Sequence, residues 1–209
     1  MHTGEQYHTF MLSSPRDKLA RERFHRMALD LLAPGEDVLD FGAGTGIDAK
    51  AFAANGHRTF VYEPSRAMSE HLKQYCQDEI AGNTVITVAY PLACSVRAAI
   101  ADFAVLNHFA SHTLLFEELS QVIEHGGFFL ASMLSPYYLG DARCGWWQKN
   151  LLNLAWHGHY AIPSESGVHR FTPRVVAQSA APYFRLERLT PRGLGLAADL
   201  YMFLLFRRL

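Results

Sequence analysis

Short apolar runs alternate with amphipathic stretches along this chain, and their spacing predicts most of its elements. Val38-Leu39-Asp40-Phe41, preceded by Pro34 and Gly35, is a brief apolar run that passes through Gly42-Ala43-Gly44-Thr45-Gly46 into residues 49–54, which are rich in helix formers. The order is strand, glycine loop, helix. Residues 58–65 form the next strand, Ser65 caps a helix over 66–77, and Val85-Ile86-Thr87-Val88 is a third strand. Upstream, Ser13-Ser14-Pro15-Arg16-Asp17 opens a helix with a cap candidate and an early acid, and Leu19, Phe24, Met27, Leu31 and Leu32 recur at roughly helical spacing. Downstream, a helix over 114–123 is followed by the glycine turn His125-Gly126-Gly127, a strand over 128–134, a helix opened by Thr172-Pro173 and ending at Ala180, and strands over 183–189 and 200–206.

Glycine has two uses in the first loop. It accepts the positive backbone angles of a tight turn, and its missing side chain lets a ligand press against the main chain. The second strand ends in Glu63, about twenty residues beyond Gly42, where a carboxylate can accept both hydroxyls of a ribose. Asp40-Phe41-Gly42-Ala43-Gly44-Thr45-Gly46 followed by Tyr62-Glu63-Pro64-Ser65 resembles motif I and its successor in class I S-adenosylmethionine-dependent methyltransferases, and the likeness runs from about residue 38 to residue 134. The dinucleotide fingerprint G-x-G-x-x-G lacks the preceding carboxylate and spaces its third glycine differently.

This resemblance implies an α/β fold, a Rossmann-like three-layer sandwich whose seven-stranded, mostly parallel sheet has the order 3-2-1-4-5-7-6 and an antiparallel last strand. It implies a single domain over 1–209, with 1–33 as an N-terminal lid and helix and the aromatic, histidine-rich stretch 136–170 as an insertion forming part of the acceptor-site wall. It implies S-adenosyl-L-methionine as cofactor and S-adenosyl-L-homocysteine as product. Gly42, Ala43 and Gly44 would line the methionyl and ribose portions, Asp40 would orient the loop and favour the ammonium group, and Glu63, with Pro64 beside it, would hold the ribose. Leu106, by its backbone, would reach the methionyl amine, with Asn107 next to it. Asp48 either binds through water or begins a helix as a dipole-compatible acid. Met68 lies where the family places an apolar side chain beside adenine, or is plain core. Many relatives hold the adenine amino group with an acid after the third strand. Here the stretch is Ala89-Tyr90-Pro91-Leu92, which leaves backbone groups at Ala89 and stacking from Tyr90 as substitutes.

Residues 102–109 resemble the family's fourth strand, beginning at Asp102 and ending with Asn107, His108 and Phe109 at the chemistry. An Asn-Pro-Pro-Tyr sequence would have suggested nitrogen methylation of a base or amide, and this stretch departs from it. His108 is the candidate general base, because histidine titrates near neutral pH; the competing reading is a structural histidine. His112, Tyr137 and Trp147 are candidate substrate contacts, and Tyr7 is either a lid residue or part of a frayed terminus.

Composition narrows the partners. The 209 residues carry a formal charge of −1 with basic residues spread along the chain, so the basic footprint that nucleic acid demands is missing. Cys76, Cys94 and Cys144 are far apart and odd in number, which speaks against a disulfide framework or zinc knuckle, and no acidic cluster of the kind used by metal-dependent O-methyltransferases appears. No metal is expected. The N-terminus lacks the pattern of a signal peptide, and the longest apolar run, 201–206, is far short of the ~20 residues of a membrane helix, so a cytoplasmic enzyme without membrane contact is expected. The reading is methyl transfer to a small, apolar or aromatic acceptor, with oxygen ahead of carbon or nitrogen. Its rivals are a non-catalytic S-adenosylmethionine-binding partner of a second protein and a nicotinamide-dependent oxidoreductase; a homo-oligomer stays open.

Overall fold

The computed structural model describes residues 3–162 and 167–209; residues 163–166 of the 136–170 insertion lie outside that description. The elements in chain order are α1 (Gly4–Ser13), α2 (Pro15–Leu29), β1 (Val38–Phe41), α3 (Ile47–Ala54), β2 (Thr59–Tyr62), α4 (Arg66–Tyr75), α5 (Gln77–Ala81), β3 (Val85–Thr87) and β4 (Val96–Ala101). After a 3-10 turn at Val105–His108 come α6 (Thr113–Val122), β5 (Ile123–Leu134), α7 (Gly145–His157), β6 (His159–Ala161), β7 (His169–Phe171), α8 (Pro173–Ala180), β8 (Phe184–Thr190), α9 (Gly195–Ala198) and β9 (Tyr201–Arg208). The main sheet has seven strands in the order β3-β2-β1-β4-β5-β9-β8, and β6 and β7 form a separate hairpin. With that hairpin set apart, the order is the expected 3-2-1-4-5-7-6. β9 runs antiparallel to both β5 and β8, while the other pairings of the main sheet are parallel.

Alternate residues of each central strand feed opposite faces of this sheet, because successive side chains of a strand point to opposite sides. Leu39, Ala99, Phe129, Leu204 and Phe206 pack with Phe116 and Leu119 of α6 and Val176 of α8. Val38, Ala98, Phe128, Phe203 and Leu205 pack instead with Phe24 and Ala28 of α2 and Phe52 of α3. Helices thus cover both faces. Full burial of Phe24, Phe52, Phe116, Phe128 and Phe129 contributes roughly 1.5–3 kcal/mol for each ring.

One expected strand is displaced. Residues 102–109 are not the fourth strand; that strand is β4, an alanine-rich run, and Asp102 follows its last residue. The small side chains are what the place requires: Ala98 and Ala99 sit between Val38 and Leu39 on one side and Phe128 and Phe129 on the other. The apolar character of 103–109 reflects a buried turn. Phe103 and Ala104 both take left-handed backbone angles, φ 50° and 65°, and Val105–His108 closes as a 3-10 turn. Two successive left-handed residues that are not glycine cost on the order of 1–3 kcal/mol each, and such strain gathers at functional sites. The expected glycine turn at 125–127 is also absorbed, as a bulge that lets β5 begin at Ile123.

The insertion folds as α7 followed by the β6–β7 hairpin, and polar clamps fasten it to the sheet. Asn107 donates from Nδ2 to the His169 carbonyl at 2.5 Å and accepts at Oδ1 from the Leu134 amide at 3.0 Å. The buried Arg170 donates to the Ser135 carbonyl at 2.5 Å and to Asp141 Oδ2 at 2.7 Å, and Tyr160 donates to the Pro136 carbonyl. Leu154, Tyr160, Ile162 and Val168 form its small core, against which Tyr137, Trp146 and Trp147 pack.

Candidate active site

The carboxyl ends of β1, β2 and β4 open into a cavity of about 650 Å³. That is the edge where ligands bind in open α/β sheets. Gly42, Gly44, Glu63, Pro64 and Met68 line it together with Phe103, Val105, His108, Phe109 and Leu114, and Tyr7 of α1 lies beside Gly44.

Each loop glycine is required for its own reason. A Cβ on Gly42 would come within 2.7 Å of Val105 Cγ1, and one on Gly46 within 2.8 Å of Cys76 Sγ, so these two allow close packing at φ 79° and 85°. A Cβ on Gly44 would meet only Tyr7, at 3.9 Å. The contact that Gly44 leaves room for is therefore on the cavity side. Glu63 holds this loop from the next strand, accepting from the Gly44 amide at Oε2 (2.8 Å) and from the Ser65 amide at Oε1 (2.7 Å). Burial raises the Glu63 carboxyl above its ordinary value, and those two amide hydrogen bonds oppose the shift.

Behind the loop lies a set of buried acids with one guanidinium. Asp48 Oδ1 accepts from Arg21 Nε at 3.0 Å and from His25 Nε2 at 2.7 Å. Burial alone would raise the Asp48 carboxyl; the His25 hydrogen bond and the Arg21 charge outweigh it and hold it below the usual value. Arg21 also lies 4.3 Å over the Phe103 ring, which pins the strained turn to α2. Asp40 and Asp102 are less well served. Each has a buried Oδ2 with no hydrogen-bond partner among the described residues. Burial and the neighbouring Asp48 charge push both upward, Asp102 to about 7, with the Phe103 amide opposing at Asp102. Burial likewise pushes the Tyr7 phenol up to about 12, against the pull of Arg21.

The sequence-predicted residues separate into two groups. Tyr7, Gly42, Gly44, Glu63, Pro64, Met68, Tyr90 and His108 come together on the cavity. Ala43 and Asp40 lie buried beneath the loop, Asp48 is the partner of Arg21 and His25, and Ala89 is exposed beyond the cavity wall. Leu106 is fully buried, and its carbonyl already accepts from His112 Nε2 at 2.9 Å and from the Phe109 amide at 3.3 Å. That carbonyl thus already serves two donors of its own chain. Asn107 is a clamp between Leu134 and His169, fully buried and off the cavity lining. His112 is a packing histidine, 4.5 Å from the Phe171 ring, and burial lowers its basicity. Tyr137 and Trp147 face the core of the insertion, and among the described residues the insertion supplies none of the cavity's lining.

Sequence reading missed Phe103, Val105, Leu115, Arg21 and Glu118. Arg21 had no signal of its own, because it is one of four arginines in α2 and helical periodicity ranks each of them as solvent-facing. Among the described residues no group of three or more His, Cys, Asp or Glu side chains could hold a metal ion, and no helix is long and apolar enough to cross a membrane.

The family model for a methyltransferase domain matches residues 12–174, most of the chain. The chain belongs to the class I S-adenosylmethionine-dependent methyltransferases. This methyltransferase is similar in fold to an S-adenosylmethionine-dependent methyltransferase from Mesorhizobium loti, with a TM-score of 0.63 and 16% identity over 88% of this chain and 96% of that one. It is also similar to the magnesium protoporphyrin IX methyltransferase of Synechocystis with bound S-adenosylhomocysteine, with a TM-score of 0.64 and 17% identity over 92% and 82% of the two chains. A third likeness is to a Haloferax volcanii methyltransferase solved with its Trm112 activator, with a TM-score of 0.63 and 15% identity over 95% and 96%. No curated protein matches the sequence.

The methyltransferase's own residues fit the family's cofactor at the glycine loop, where Gly44 leaves its cavity side uncovered beside the Glu63 carboxylate. Asp40 and Asp102 lie behind that wall, off the cavity lining. The raised Asp102 carboxyl supports the fold most fully below 3.8 and loses that contribution as the pH rises through about 7.

Proposed function

We propose that this methyltransferase moves a methyl group from S-adenosylmethionine to the hydroxyl of a small, apolar or aromatic acceptor, with His108 as the proton acceptor. The observation that carries the reading is the cavity's lining, which His108 shares with Phe103, Val105, Phe109 and Leu114 as well as with Gly44 and Glu63. The cofactor, when bound, supplies a methyl group already activated on a sulfonium. The protein's work is then alignment, exclusion of water and removal of one proton. Of the two histidines that follow β4, His112 has its Nε2 engaged by the Leu106 carbonyl, whereas His108 is exposed toward the cavity. Apolar walls favour an uncharged acceptor, and the net charge of −1 favours no polyanion.

A second reading has one observation behind it. Leu151, Leu152 and Trp156 of α7 are exposed, at 44%, 70% and 81%, and the Haloferax relative was solved with an activator protein, so a partner subunit on α7 is the alternative role.

Calorimetry with S-adenosylhomocysteine, S-adenosylmethionine and NAD tests the donor, and a panel of phenols, amines and carbon acids tests the acceptor. Tight binding of the sulfur nucleosides without NAD supports the donor site. Methylation of phenols that falls roughly a hundredfold in kcat in His108→Ala, with cofactor affinity unchanged, supports the base. Binding without turnover of any acceptor until a partner is added would favour the second reading, and NAD binding would overturn both.

A further inference from the structure

We propose that Glu118, held in place by Tyr90, reads the amino group at position 6 of the cofactor's adenine. This rests on the function proposed above and adds a specificity-determining residue from an unexpected element. Residues 89–92 after β3 carry no acid, so the usual source of a carboxylate for that amino group is missing. The carboxylates on the cavity wall are Glu63 and Glu118. Both oxygens of Glu63 already accept from backbone amides, Oε2 from Gly44 of the glycine loop and Oε1 from Ser65 at the start of α4, whereas Glu118 has an oxygen to spare.

Its aim follows from helix geometry. Leu114 and Glu118 of α6 are four residues apart, hence on one face, and both line the cavity. The Tyr90 hydroxyl donates to Glu118 Oε2 at 2.9 Å, which fixes the carboxylate and leaves Oε1 as an acceptor. Between the two acids runs an aromatic wall: Phe41 and Tyr62 have ring centres 5.2 Å apart, Tyr62 and Tyr90 6.3 Å, and Phe41 and Phe109 6.3 Å. A planar base lying along that wall presents its edge to Glu118. A carboxylate has only acceptors, so it attracts a 6-amino purine and repels a 6-oxo one.

The test compares the affinities of S-adenosylhomocysteine and its 6-oxo analogue S-inosylhomocysteine by calorimetry, for the wild type, Glu118→Gln and Tyr90→Phe. The wild type should prefer the amino form by roughly tenfold to a hundredfold. In Glu118→Gln, whose amide can turn its NH2 toward the oxo group, the preference should fall to within about threefold of unity. Tyr90→Phe keeps the carboxylate and frees it, so the preference should fall by about two- to tenfold. If the Tyr90–Glu118 pair merely pins the β3–β4 loop to α6, melting temperatures shift while the preference stays the same in all three proteins. An unchanged preference, or none in the wild type, overturns this inference and leaves the proposed function standing. A wild type that binds neither nucleoside overturns both.

Discussion

Glu63→Ala is expected to weaken S-adenosylhomocysteine binding by at least about a hundredfold, measured by calorimetry. Two losses combine. In the proposed placement the carboxylate would accept from paired ribose hydroxyls, and hydrogen bonds to a charged group contribute about 1.5–3 kcal/mol. The same side chain anchors the Gly44 amide at 2.8 Å and the Ser65 amide at 2.7 Å, so its removal also releases the glycine loop from the end of β2. Glu63→Gln separates the two effects. The amide keeps an acceptor for one of these bonds and loses the charge, so an intermediate affinity is expected. Unchanged binding in Glu63→Ala would mean that the ribose lies elsewhere and that Glu63 serves only the loop.

The second large effect concerns stability. Arg21→Ala should destabilise the fold by about 3 kcal/mol, a fall in Tm of roughly 10 °C. Arg21 and Asp48 are side chains with only 9% and 12% exposure, and removing the guanidinium leaves a buried carboxylate with His25 alone, next to the acids at 40 and 102. The Phe103 ring also loses its cation, at the turn that shapes the cavity. Arg23→Ala is the control. Its pair with Asp199, at 3.2 Å, is about 40% exposed and should contribute no more than about 1 kcal/mol. The deficit of Arg21→Ala should narrow in acid. Asp48 has a lowered carboxyl in the native fold, so its contribution is present above 3.8 and is lost from the wild type as the pH falls further, whereas the variant already lacks most of it. A Tm for Arg21→Ala no lower than that of Arg23→Ala would refute the buried-pair account.

The role of Arg21 also marks a boundary in what the chain discloses. Helix α2 reads clearly from Ser14, Pro15 and Asp17, and Ser14 does accept from the Asp17 amide. The same pattern gives no hint that Arg21 turns inward, because helical periodicity ranks an arginine as solvent-facing whatever lies across from it. His108 and His112 illustrate the same limit. Four residues apart and alike in type, they are separated only by the Leu106 carbonyl, which takes the second and leaves the first facing the cavity.

What the sequence by itself determined is the part governed by short-range rules. The glycine loop needs φ values near 79°, 54° and 85°, the strands on either side need apolar residues on both faces, and Glu63 directly follows β2; each requirement is written within a few residues, and it is through the family resemblance these residues carry that the sheet order was to be expected. What only the tertiary structure decided depends on contacts between distant segments. The fourth strand fell on residues 96–101 because Ala98 and Ala99 fit between β1 and the β5 phenylalanines. Asn107 was spent on His169, sixty-two residues away, and the aromatic insertion packed Trp146 and Trp147 onto its own core and away from the cavity. Local preferences cannot carry that information, since a buried polar group is satisfied by whichever partner the packing of remote elements brings within reach.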